Sequence, residues 1–251
     1  MEYVFRLVVC QFFMKELTMT QLALCDVRGL LTDLLQKLSG EGGAKWLSRL
    51  KKFLRGEEAR HQVSWQQATR IVYELCDLGA EFLEAIQSFD LKDEEGLWKL
   101  LMVKGLTYER MTKAYEKAGV TLQTFGVNLQ EKIGAEKEQR DPNRDGSYSV
   151  KFHGNMEADE VNKNESANHR AEKEYEDSTL LERLFMGLVV FLTGEGHLDQ
   201  KTVTLCSGSR HSGGRVPFVH FHPDDGGVHV DWYGSDVRYV SLRVRSVVSS
   251  S

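Results

Sequence analysis

His220, Phe221 and His222, with His229 and Asp231 close behind them, are the residues of this chain whose types and spacing most invite chemistry. Side chains alternate across a strand, so an H-x-H pair places both imidazoles on one face. With His229 they would make three nitrogen ligands around an open coordination position, the donor set of a metal-dependent hydrolase; His211, Asp224 and Asp225 lie nearby. Against that reading, H-x-H arises easily from alternation, no H-E-x-x-H motif is present, and no separate general base is defined. The same residues fit a recognition surface better: Tyr, His and Phe offer rigid contact area, and Ser, Gly and Asp offer adaptable hydrogen bonds. The candidate ligand-contacting set is His211, Phe218, His220, His222, His229, Asp231, Tyr233, Ser235, Asp236, Tyr239 and Ser241. No catalytic residue is assigned, and no cofactor or metal is expected.

Four β-branched or aromatic runs must position this set: Val203 to Cys206, Val216 to His222, Val228 to Tyr233 and Val237 to Val248. Ser-Gly-Ser, Ser-Gly-Gly, Pro-Asp-Asp-Gly-Gly and Gly-Ser-Asp separate them, the punctuation of an antiparallel meander. Alternation predicts that Val219 and Phe221 oppose Phe218, His220 and His222. It likewise sets Val228, Val230 and Trp232 against His229, Asp231 and Tyr233. In the last run Val240, Leu242 and Val244 are expected inward, with Tyr239, Ser241, Arg243 and Arg245 outward. From Thr202 onward the sequence contains no Lys, Glu, Gln, Asn, Met, Ile or Ala. Lys and Glu commonly protect solvated sheet edges, so their absence favours a dedicated surface over an incidental polar one.

Upstream, Thr179-Leu180-Leu181-Glu182 is a capping box opening an apolar helix, Leu180 to Thr193, the expected buried spine of the C-terminal region. A short alternating strand is expected at Ser147 to His153, and Glu157 to Asp177, acidic and rich in Asn, is expected on the surface. Further back, leucines three and four apart predict a helix over Thr20 to Leu38, stopped at Gly40. Ala44 to Arg55 predicts another, with Lys45, Arg49, Lys51, Lys52 and Arg55 around its polar side. Ser64 caps a third carrying Trp65 to Ile86, Tyr108 to Lys117 ends at Gly119, and Val120 to Ile133 supplies one more. The fold class is therefore α+β. The expected organisation is an N-terminal extension (1–18), a helical module (19–134), a polar linker (135–146) and an α+β binding module (147–251). A further reading makes the chain an adaptor acting through the helical module, with the sheet merely structural.

A net charge of −5 and only three prolines describe an ordinary acidic globular protein. Nucleic acid is not an expected partner, because duplex binding rests on phosphate neutralisation by a basic surface. Cys10, Cys25, Cys76 and Cys206 form no C-x-x-C pair, so neither a zinc ribbon nor a disulfide scaffold is indicated. The first residues lack a basic n-region and a cleavage site, and the longest later apolar run, Leu184 to Leu192, is too short to span a bilayer. A cytoplasmic protein is expected, binding an unidentified protein or small ligand and no membrane.

The stretches KWLSRLKKFLRGEE, NMEADEVNKNESAN, STLLERLFMGLVVFLTGEGHLD and TLCSGSR, followed by VP, DWY and LRVRSVV, resemble modules of uncharacterised proteins of the candidate-phylum bacteria called Patescibacteria. The tail is also similar to the variable proteins of diversity-generating retroelements. That resemblance implies a C-type-lectin-like fold with exchangeable residues on a fixed framework. Framework positions would be Leu205 to Arg210, Val216, Pro217, Trp232, Leu242, Arg243 and Arg245, and the exchangeable ones would be the candidate set named above. Adenine mutagenesis of Asn codons yields His, Asp, Tyr, Ser, Gly, Arg or Phe but never Lys, Glu, Gln or Met, and the tail obeys that rule.

Overall fold

The computed structural model describes residues 24–40, 43, 47 and 63–249. The chain divides into two compact units, Met1–Ala59 and Arg60–Ser251. In the first, α1 (Leu24–Ser39) stops before Gly40, where the leucine spacing places its end. Most of the basic helix expected over Ala44 to Arg55, with its candidate cationic face, lies outside the described residues.

The second unit starts well before the expected linker. Ser64 caps α2 (Trp65–Leu75), as its sequence predicts, through a full capping box with Gln67, and the expected helix α4 (Tyr108–Lys117) is capped by Thr107. The third expected helix does not run on to Ile86. It breaks at Asp77, which takes a positive φ of 56°, and resumes as α3 (Gly79–Ala85). The span 97–134 is not wholly helical. Leu97–Met102 forms strand β1, Thr121–Gln123 forms β2, and Leu129–Lys132 is only a single turn, α5. The segment 135–146, expected as a linker, is strand β3 (Ile133–Glu138) followed by a helical turn, α6 (Pro142–Asp145). Its polar residues are spent on hydrogen bonds within the fold; Arg140, for example, grips the Glu182 carboxylate through Nε at 2.9 Å.

β1 pairs antiparallel with β4 (Tyr148–His153), and β3 pairs with β6 (Ser209–His211). Between them in sequence lie the helical segment α7 (Ala167–Glu172) and the spine helix α8 (Leu180–Thr193), whose capping box forms as expected. The main sheet has the order β2-β8-β7-β5-β9, with β5 (Val203–Leu205), β7 (Val216–His222), β8 (Gly227–Tyr233) and β9 (Leu242–Arg243). The outer pairs β2-β8 and β5-β9 are parallel, so the sheet is mixed rather than a pure meander. The α+β class stands.

The β7/β8 register agrees with the alternation. Val219 meets Val230, Phe221 meets Val228, and these residues join α8 in one large core with Leu184, Phe185 and Leu188. The final run behaves otherwise. Only Leu242–Arg243 is strand, Val240 is 72% exposed instead of inward, and Arg245 is buried instead of outward. Apolar pattern placed Val240 by its neighbours, but a chain lacking ladder partners there has no pleat to obey.

A buried ionic network explains Arg245. Asp199 accepts from Arg183 Nε at 2.9 Å, Arg245 Nη2 at 2.7 Å, the Ala158 backbone N–H at 3.0 Å and the Thr204 hydroxyl. Burial alone would raise its carboxyl, yet the Arg245 and Arg183 guanidiniums outweigh that and hold it below the ordinary carboxylate range. A second buried pair, Arg170 and Asp177, meets at 2.6 Å, and Ser207 donates to the same carboxylate at 2.6 Å.

Gly208, in the TLCSGSR stretch, lets the turn before β6 approach the α8 cap. A Cβ there would stand 2.7 Å from the Asp177 carbonyl oxygen and 2.9 Å from that of Ser178. Both obstacles are backbone, so Gly208→Ala is expected to cost about 1–3 kcal/mol, the usual range for overpacking, with a matching fall in the urea midpoint at unchanged slope.

Candidate binding surface

The two faces of the β7/β8 ribbon have opposite fates. One packs on α8, and the other carries His220, which faces His229 in register, together with Phe218, Asp231, His222 and Tyr233. At the β5/β9 end, that second face is closed by a small cluster of Ala167, Leu205, Val216, Phe218, Leu242 and Val244. At the β2 end it is open. Gln123 stands beside His229 in the parallel β2/β8 register, and both Gln123 and Asp231 are exposed.

Across this face the rings form a continuous ladder. Phe125 meets His229 edge-on at 5.5 Å, and His229 lies 5.1 Å from His222 and 5.4 Å from His220. His220 neighbours Phe218 at 6.0 Å, Phe218 stacks on Tyr233 at 4.1 Å, and Tyr233 reaches Tyr239 at 5.6 Å. These separations are those of favourable aromatic pairs. The two ends are the most exposed members, Phe125 at 63% and Tyr239 at 53%, whereas Phe218 is buried at 6% and acts as the joint in the middle.

The expected set is thus brought together only in part. His220, His222, His229, Asp231 and Tyr233 share the open face, and Tyr239 extends it. Phe218 is not the exposed contact expected, because Tyr233 and the small cluster cover it. His211 is elsewhere: on β6 it packs edge-on against Trp232, 5.0 Å away, a residue of the α8-facing side. Asp236 accepts from Asn168 Nδ2 at 2.7 Å, and the Ser235 carbonyl accepts from the Asn168 N–H, so this loop is tied to α7. Ser241 is exposed, and its carbonyl accepts from Val203 N–H at the sheet margin.

Phe125 and Gln123 were hidden from sequence reading, which placed both in a helix. The only local hint was the Phe125-Gly126 pair, both at positive φ, 51° and 76°, a tight turn rather than a helix interior. Their nearness to His229 comes from parallel pairing with a strand far along the chain, for which periodicity carries no signal.

The imidazoles are set apart by their partners. Asp225, in the β7–β8 turn, accepts from the Gly227 backbone N–H at 2.9 Å and binds His229 Nε2 at 2.8 Å, with His222 Nδ1 at 3.9 Å. Nδ1 of His220 and of His222 are buried atoms without a hydrogen-bond partner. Burial, then the adjacent His229 and His222, push the His220 imidazole below its ordinary value and favour its neutral form.

Metal ligation is not what this geometry offers. Among the described residues no three His, Cys, Asp or Glu side chains are grouped to hold an ion. His222 and His229 stack with planes 12° apart, and His229 turns a ring nitrogen to Asp225. The His220, His222 and His229 ligand set does not converge. Among the described residues no thiol nucleophile is at hand either: Cys76 and Cys206 are buried, and burial pushes the Cys76 thiol up to about 12 and raises that of Cys206 as well.

No protein-family model matches the chain, and comparison with the curated proteins and with the solved structures returns no match. Among the described residues no helix is long and apolar enough to cross a membrane.

Proposed function

We propose that the chain is a non-enzymatic binding protein whose recognition surface is the open face of the β7/β8 ribbon, bounded by Phe125 and Tyr239. The aromatic ladder carries this reading. Rings already packed against one another, with Phe125 and Tyr239 exposed at the two ends, lose little conformational freedom when a partner covers them, which makes them efficient contact area. The α8 core packs against the ribbon from behind, a support that favours a surface set by the fold itself. A C-type-lectin-like arrangement and a kinship with retroelement variable proteins fit the part of the exchangeable set that shares this face, His220, His222, His229, Asp231, Tyr233 and Tyr239. A near-identical, adenine-rich copy of the 3′ coding end beside a reverse-transcriptase gene would support that kinship, and its absence would remove it.

Phe125→Ala and Tyr239→Ala test the surface. Both side chains are exposed, so each variant should keep its thermal midpoint within a degree or two, on the order expected for surface changes. Each should weaken partner binding about tenfold or more, as truncating an aromatic anchor does. Full-strength binding by the double variant in a titration would rule this face out. The adaptor reading, in which the helices matter and the sheet is structural, predicts that result.

A further inference from the structure

Resting on that reading, we infer that the partner is a protein segment rich in Lys and Arg, laid along the ladder with its cations over the Phe125, Tyr233 and Tyr239 rings and beside the carboxylates of the ribbon and its turn. Within the β7/β8 ribbon and its turn the charge is one-sided. Residues 216–237 contain Asp224, Asp225, Asp231 and Asp236, three histidines, and no Lys, Arg or Glu. Asp224, Asp225 and Asp231 are exposed on the ribbon and its turn; Arg215 directly precedes the ribbon, and the exposed Arg238 stands next to Tyr239 at the far end of the ladder. Aromatic faces attract ammonium and guanidinium groups, and a neighbouring carboxylate strengthens the attraction. An anionic partner would meet like charge, with only partly shielded imidazoles to offset it.

Length selects a polymer over a small cation. Neighbouring ring centroids are 4.1 to 6.0 Å apart along the ladder, so a small cation covers one or two rings. An extended segment, rising about 3.3 Å per residue, can engage both Phe125 and Tyr239.

Protons oppose this partner. His220 is faced by His229 and His222 on the sheet, with Asp199 and Arg183 acting from beneath. His229 and His222 are faced by Asp225 from the turn, and Phe125 reaches His229 from the β2 side. Protonating His220, which burial and the two neighbouring imidazoles hold below its ordinary value, would add positive charge to the face that carries Asp231, so cationic binding should weaken at acid pH.

The test is a selection of random dodecapeptides on the full chain at pH 7.5, followed by titration of the enriched peptides. Enrichment of Lys/Arg-rich peptides is expected. Their affinity should drop about tenfold in Asp231→Asn, where the exposed carboxylate is lost but its acceptor oxygen kept, and should be lower at acid pH than at pH 7.5. It should also fall in Phe125→Ala. Ladder-dependent peptides that are acidic or uncharged would overturn the cationic inference and leave the binding surface standing. Peptides indifferent to Phe125→Ala and Tyr239→Ala, or no enrichment at all, would overturn both. Self-association of the chain that Phe125→Ala disperses would assign the face to a second copy and overturn the inference.

Discussion

Asp199→Asn is expected to leave the Arg60–Ser251 unit unable to hold its fold at 37 °C. The carboxylate is fully buried and neutralises two guanidiniums that are themselves 1% exposed, Arg183 and Arg245. Breaking a buried ion pair by removing one partner costs about 3–5 kcal/mol, because the remaining charge is stranded in low dielectric, and here two charges are stranded. That is a large part of the roughly 5–15 kcal/mol stability of a domain. Asn is the informative replacement, since Asp199 sits at a φ of 56°, which Asn tolerates and Ala does not. Far-UV circular dichroism on heating reads the outcome. A midpoint within a few degrees of the parent would show that hydrogen bonding, not charge, holds this centre. The acid side follows from the depressed carboxyl: its stabilisation is present above the ordinary Asp value of about 3.8 and is lost as pH falls through the lower folded value.

Glu138→Gln is expected to remove a pH dependence of opposite sign. Glu138, on β3, is 5% exposed; its Oε1 accepts from the Tyr108 hydroxyl and from Ser209 Oγ at 2.8 Å, while its buried Oε2 has no partner. Burial raises its carboxyl to about 8, against the lowering effect of the Tyr108 and Ser209 hydrogen bonds. The folded protein therefore keeps a proton that the unfolded chain releases near 4.5. Stability from this group is full below about 4.5 and is lost progressively as pH rises toward 8, by an amount on the order of 4 kcal/mol. Gln stays neutral and retains the Oε1 acceptor. The difference between the urea-derived stabilities of variant and parent should grow in favour of Gln across that window and level off above it. A difference that stays flat from pH 5 to 8 would mean that Glu138 is ionised in the folded state.

The core of the unit was legible without coordinates. Thr179 and Glu182 announced the α8 cap, the apolar run after them announced burial, and alternation gave the β7/β8 register, because capping and pleat are local consequences of neighbouring residues. Much of the open face followed from the same alternation, including His220, His222, His229, Asp231 and Tyr233. Residues whose positions depend on distant partners were misread. Arg245 looked outward until Asp199 was seen to need its charge, and Val240 looked inward because the sequence does not reveal where a ladder stops. β1, β2 and β3 were taken for helix or linker, since short strands become strands only when β4, β8 and β6 offer their edges.

What the sequence by itself determined is the α8 spine, the β7/β8 ribbon and the placing of His220, His222, His229, Asp231 and Tyr233 on one face of it, each fixed by residues close together in the chain. The tertiary structure alone decided that Phe125 completes the ladder, that His211 leaves it, and that Asp199 binds two arginines. Those are pairings across long loops, set by packing and by the high cost of an unmatched buried charge, which no local spacing encodes.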